Sequence, residues 1–104
     1  MNTPRRSHSG CSLADSVYVF CGYNKTNEWL NSIERLNANY FVNAGTDSQW
    51  IAITVASGMI KARSNPLVAP MGEREIVILG GSFKRYLADG YIFNADYNTV
   101  QQVL

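Results

Sequence analysis

Val17-Tyr18-Val19-Phe20-Cys21-Gly22-Tyr23 is a run of β-branched and aromatic residues that stops at a glycine. Such residues suit a pleated, half-buried surface, and a closing glycine marks a place where a side chain does not fit. The run predicts a strand. The chain writes it a second time as Ile76-Val77-Ile78-Leu79-Gly80-Gly81-Ser82, with Cys21-Gly22 falling where Gly80-Gly81 falls, an offset of 59 (80 − 21).

Working outward from the first copy, residues 5–13 open with Arg5 and Arg6. They continue through Ser7, His8, Ser9, Gly10 and Cys11, which reads as a short strand with small residues on one face. Ala14-Asp15-Ser16 predicts a turn, because Asp and Ser bond readily to nearby backbone. After the strand comes a polar loop, 24–29, and then a third strand over 30–36. The Ile33–Leu36 spacing would also suit a helix; the Asn-rich flanks and neighbouring strands decide for β. Residues 37–48 read as a long loop, and the alternating stretch 49–55 as a fourth strand.

A second round begins at Met59. Arg63 matches Arg5 at an offset of 58 (63 − 5), and Gly90-Tyr91-Ile92-Phe93-Asn94 answers Ile33-Glu34-Arg35-Leu36-Asn37 at 57 (94 − 37). Between them lie a short strand at 66–69, a turn at 71–74, a strand at 75–80 and a polar loop at 82–89. Three landmarks with nearly one offset predict a tandem of the same unit, differing by a residue or two in its turns. The expected division is 1–58 for the first unit and 59–104 for the second. The second is expected to lack its last strand, since no tryptophan recurs where Trp50 would repeat. The fold class is all-β, about two four-stranded antiparallel meanders.

Composition bounds the functional classes. With 46% hydrophobic and 16% charged residues in 104, there is material for a core, which argues against disorder. A net charge of +1 gives no electrostatic case for nucleic acid or an anionic membrane. No apolar run approaches the roughly 20 residues that span a bilayer, and the basic N-terminus has no apolar stretch behind it to make a secretory signal. A cytoplasmic protein with Cys11 and Cys21 as reduced thiols is the expectation. His8 is the one histidine, so no zinc-type spacing and no nucleophile–base set can be drawn; no metal, cofactor or catalysis is expected.

The pattern resembles the kelch repeat family. It shows an arginine entering the first strand (Arg5), His8-Ser9, a hydrophobic strand ending at Cys21-Gly22, then Leu36-Asn37 and Trp50; the second copy shows Arg63, Gly80-Gly81 and Phe93-Asn94. Residues 31–37, NSIERLN, are similar to the third strand of BTB-kelch blades. Cys21 in place of a first glycine, Leu36 in place of an aromatic residue and Asn65-Pro66 in place of Ser7-His8 depart from the family pattern. The resemblance implies a kelch-type β-propeller fragment, with Trp50 packed between blades and Arg5 and Arg63 bonded to neighbouring carbonyls. Propellers have about 4–8 blades. Two blades therefore imply further kelch blades, in the same or other chains, unless several copies close a ring.

By that resemblance the function is protein–protein interaction, as a scaffold or adaptor, without catalysis. The alternatives are a truncated or remnant fragment with no independent function, and a piece of a kelch-fold oxidase. In a meander, alternate loops share one end of the sheet. That groups Arg6, Ser7, Tyr23, Asn24, Lys25, Asn27 and Trp29 with Ser64, Ser82, Phe83, Lys84, Arg85 and Tyr86, together with the connection 57–64. Such a surface suits a peptide or protein partner. Trp29 is its candidate hot spot, or else folds back on its own unit.

Overall fold

The computed structural model describes residues 1–37 and 50–104. Eight strands follow in chain order: β1 (Ser9–Leu13), β2 (Ser16–Tyr23), β3 (Trp29–Asn37), β4 (Trp50–Ala52), β5 (Leu67–Met71), β6 (Glu75–Leu79), β7 (Gly90–Asn94) and β8 (Thr99–Gln102). They form two antiparallel sheets, β1-β2-β3-β4 and β5-β6-β7-β8, each a simple meander. The all-β expectation of two four-stranded units holds. The expected long loop lies, after Asn37, outside the described residues, as does Gln49 at the head of the fourth predicted strand.

The second sheet has the last strand it was expected to lack. β8 pairs with β7, and Val100 stands opposite Phe93 as Trp50 stands opposite Leu36. The repeat was masked by a change in loop length. From Asn37 to Trp50 is 13 positions (50 − 37), whereas from Asn94 to Val100 is 6 (100 − 94). The tryptophan has become a valine, and Val100 is buried in the core.

The backbone repeats more faithfully than the sequence does. Left-handed residues recur in pairs: Ser7 with Asn65, Ala14 with Gly72, Cys21 with Gly80, Gly22 with Gly81, and Asn27 with Lys84. Only Gly22 and Gly81 are the same residue in both units, so the turns are conserved in geometry rather than in chemistry. At Gly22 and Gly81, one repeat apart, glycine is required. A Cβ on Gly22 would sit 2.6 Å from the Arg6 carbonyl oxygen, and one on Gly81 would sit 2.7 Å from that of Ser64, the matching residue. Both lie at φ near 100°, 105° and 99° respectively, where an L side chain is strained.

Side chains alternate between the faces of each sheet. One face of the first sheet, with Tyr18, Phe20 and Ile33, packs on the face of the second that carries Ile76, Ile78, Tyr91 and Phe93. Phe93 lies edge-on to both Tyr18 (5.8 Å) and Phe20 (5.9 Å). Such ring pairs add about 0.5–1.5 kcal/mol each to the burial of their area. The chain itself seals this joint. β4 stops at Ala52, earlier than expected, although Ile53 N–H still donates to the Ile33 carbonyl at 2.9 Å. The strand then crosses to the second sheet, where Ala56 N–H donates to Asn98 and Ser57 accepts from Val100 N–H. Ile60 drops into the core, and Arg63 and Ser64 arrive, buried, at the opposite end. Residues 57–64 therefore run along the joint; they do not lie together on one end as expected.

Trp50 is not between the two sheets. Its pairing with Leu36 and, through it, Val17 places it on the face of the first sheet turned away from the second, where its carbonyl accepts from Asn2 Nδ2 at 2.7 Å. Among the described residues, no helix is long and apolar enough to cross a membrane.

Candidate interaction face

An arginine stands at the entry of each sheet, and each is fully enclosed. Arg5 donates to the Cys21 carbonyl (3.0 Å), to Ser32, and to Glu34 at 2.8 Å; the Arg5 and Glu34 side chains are 0% and 1% exposed. Arg63 donates to the Gly80 carbonyl (2.8 Å) and, through both terminal nitrogens, to Asp89 at 2.5 and 2.7 Å. The Tyr91 hydroxyl donates to the same carboxylate at 2.9 Å. Hydrogen bonds from Arg63, more than any other cause, hold Asp89 down at about 2, below the ordinary 3.8. Each guanidinium thus braces the left-handed corner at the end of its central strand. These two residues build the end of the molecule from which the β2–β3 and β6–β7 loops project.

That end gathers most of the residues singled out from the sequence. Arg6, Tyr23, Asn24, Lys25 and Asn27 line one groove of about 440 Å³ with Pro4 and Arg5. Tyr23, Trp29, Ser82, Lys84, Arg85 and Tyr86 line a second of about 400 Å³. Arg6 bonds Asn27 Oδ1 at 3.0 Å and lies over the Tyr23 ring. The β2–β3 loop is set by Asn24, whose Oδ1 accepts from the N–H groups of Thr26 and Glu28, both at 3.0 Å. Hydrogen bonds from Thr26 and Asn24 lower the Glu28 carboxyl and hold it ionised.

Three placements differ from expectation. Trp29 opens β3 instead of standing free in a polar loop, and it is half-buried. Its ring lies between Tyr23 (4.9 Å) and Phe83 (4.6 Å), so it ties the two sheets together instead of folding onto its own unit alone. Ser64 is buried, exchanging backbone bonds with Ser82 at 2.9 Å in both directions. Ser7 is half-buried and its carbonyl accepts from Asn65 N–H at 2.8 Å across the joint. Ser7 thus holds the joint through its carbonyl, whereas Ser64 pins the entry segment of the second unit to that unit's own loop.

Sequence reasoning missed the arrangement of charge. At the loop end stand Arg6, Lys25, Lys61, Lys84 and Arg85, against, among the described residues, the single carboxylate Glu28 once the Arg5–Glu34 and Arg63–Asp89 pairs are set aside. At the other end, where Ala14 and Gly72 turn, stand Asp15, Glu73, Glu75 and Asp96, among the described residues, against Arg74. The near-zero sum hid two opposite poles. Lys61 was the least visible member; it joins Met59, Phe83 and Leu87 around a third, apolar groove of about 380 Å³. Its signal was the offset of 58 that places it two residues before Arg63, as Thr3 precedes Arg5.

Cys11 and Cys21 are both free thiols. Burial pushes Cys21 up to about 12. Among the described residues no three of His, Cys, Asp and Glu come together as metal ligands would. Compared with known proteins, the chain matches no family model and no curated protein.

Proposed function

We propose that this chain is a non-catalytic protein-interaction module of the kelch-repeat kind, working as a scaffold or adaptor in the cytoplasm. Its loop end takes a partner segment that carries acidic side chains. The observation that supports this reading is the pairing of five cations with exposed aromatic rings at one end: Tyr86 is 93% exposed and Phe83 39%, beside Lys84 and Arg85. Cations that lack carboxylate neighbours attract an acidic segment over about a Debye length, and the rings supply the apolar contact that anchors it. Trp29 supports the surface from beneath. Its Nε1 is buried without an acceptor among the described residues, and Trp29 lines the groove together with Lys84 and Arg85.

The test is binding to an immobilised array of acidic, neutral and basic peptides, each with and without an aromatic residue. Acidic aromatic peptides are expected to be retained at low salt and released as salt rises. Lys84→Glu with Arg85→Glu should abolish retention while the β-sheet circular dichroism is unchanged, since both side chains are exposed. Retention that ignores the sign of the peptide, or survives the double reversal, overturns the reading.

A further inference from the structure

The two outward faces of the molecule are the two halves of a joint it already contains. At the internal joint, Tyr18 and Phe20 of β2 share one buried cluster with Ile76 and Ile78 of β6. Moved on by the 59-residue offset (80 − 21), Tyr18 and Phe20 become Val77 and Leu79. These lie on the other face of the second sheet, half-buried with no sheet over them, and Leu67 beside Leu79 is 63% exposed. Moved back by the same offset, Ile76 and Ile78 become Val17, half-buried, and Val19, already buried beside it, on the outward face of the first sheet.

The backbone carries the same complementarity. Three bonds cross the joint at the loop end: Gly22 N–H to the Arg63 carbonyl (2.8 Å), Arg63 N–H to the Leu30 carbonyl (3.2 Å), and Asn65 N–H to the Ser7 carbonyl (2.8 Å). The corresponding groups one unit on are Gly81 N–H and the carbonyls of Leu87 and Asn65. One unit back they are the carbonyl and N–H of Arg5 and the N–H of Ser7. Among the described residues, none of these six groups has a hydrogen-bond partner. Each is donor where its counterpart is acceptor.

We infer that the free face of the second sheet, around Val77, Leu79 and Leu67, receives the first sheet of a second copy of this chain, head to tail. The occupant follows from what would match: Arg5, Ser7, Val17 and Val19, in that order and spacing, are carried by this chain itself. The joint so formed repeats the internal one: apolar faces meet, and three backbone bonds close at the loop end. Because the two surfaces differ, the contact is heterologous and leaves one half free on each outer copy. Assembly therefore continues until a ring closes or a filament grows. This is independent of what the loop end binds.

Sedimentation velocity of the full chain over a wide concentration range tests it. The expected result is a mass that rises with concentration through species larger than a dimer. Leu79→Lys blocks one half and Val17→Lys the other, and each should weaken self-association by about tenfold or more, as an unpaired charge in an apolar contact does. Mixed together, the two variants should give a one-to-one pair that grows no further, because each copy keeps one usable half. Leu67→Lys, at a position largely in water, guards against a variant that fails to fold; it too should weaken association while its β-sheet spectrum is kept. A folded wild-type chain that stays monomeric into the high micromolar range overturns the inference, and so does association that Leu67→Lys leaves intact. A mixture that still grows beyond pairs does the same.

Discussion

Glu34 and Tyr91 stand at the same place in the two sheets, and each offers a side-chain oxygen to the backbone N–H two residues before its arginine. Thr3 N–H reaches Glu34 at 3.3 Å, and Lys61 N–H reaches Tyr91 at 3.4 Å. The carboxylate that neutralises the arginine has moved, however. In the first unit it is Glu34 itself; in the second it is Asp89, the counterpart of Ser32. Side chains two apart on a strand point to the same face, so one guanidinium can be served from either place.

This interchange makes a prediction. Glu34→Tyr alone leaves Arg5 enclosed without a carboxylate and should cost about 3–5 kcal/mol. Adding Ser32→Asp should restore most of that, because it installs the second unit's arrangement in the first. Urea denaturation of the two variants measures it, and a double variant no more stable than the single would show that the two units are not interchangeable here.

Asp89 sets an acid limit. Its folded value, about 2, lies below the ordinary 3.8, so its contribution is fully present above pH 4 or so and is lost as pH falls toward 2. After allowance for its partial contact with water, the loss should be about 1–2 kcal/mol. Asp89→Asn should flatten the stability profile over that interval, measured by denaturant midpoints at a series of pH values. A profile unchanged by the substitution would place the acid sensitivity elsewhere.

Cys21 occupies a left-handed corner, φ 64°, that its counterpart Gly80 fills at φ 62°. The strain of an L residue there is about 1–2 kcal/mol, offset by the thiol's burial. Cys21→Gly should therefore stay within about 1 kcal/mol of the parent, whereas Cys21→Val, branched at Cβ, should lose about 2 kcal/mol or more. Iodoacetamide should label Cys11 in the folded chain and reach Cys21 only after denaturation, since Cys21 is fully enclosed with its thiol pushed up to about 12. Mass spectrometry of the two states reads the outcome.

Trp29 should report on the joint. In a Trp50→Phe background it is the sole source of indole fluorescence. Phe83→Ala removes the ring 4.6 Å away on the other sheet and admits water. The emission should shift to longer wavelength, with a loss of about 1–2 kcal/mol in thermal or urea unfolding. An unshifted spectrum would mean that Trp29 is held by Tyr23 alone.

The strands and their order were legible in the sequence wherever β-rich runs ended in turn residues, and the three offsets carried the tandem. β8 was not, because Val100 took the tryptophan's place and the β7–β8 turn is shorter than the corresponding stretch in the first unit. Trp29 looked like a loop residue because polar neighbours surround it, while its actual partner, Phe83, is 54 positions away (83 − 29). Arg5 and Arg63 were placed correctly at neighbouring carbonyls, but their carboxylates could not be assigned from position alone, since the two units use different ones. The poles of charge were hidden because net charge sums over the whole surface and keeps no direction.

Those poles give the molecule an electric dipole far larger than its net charge of +1 suggests. At neutral pH it will behave as two materials at once, clinging to anion exchangers by Asp15, Glu73 and Asp96 and to cation exchangers by Lys25, Lys84 and Arg85. On any charged support it will sit oriented, one set of turns down and the other up. Immobilisation through the acidic pole would leave the opposite loops standing free in solution.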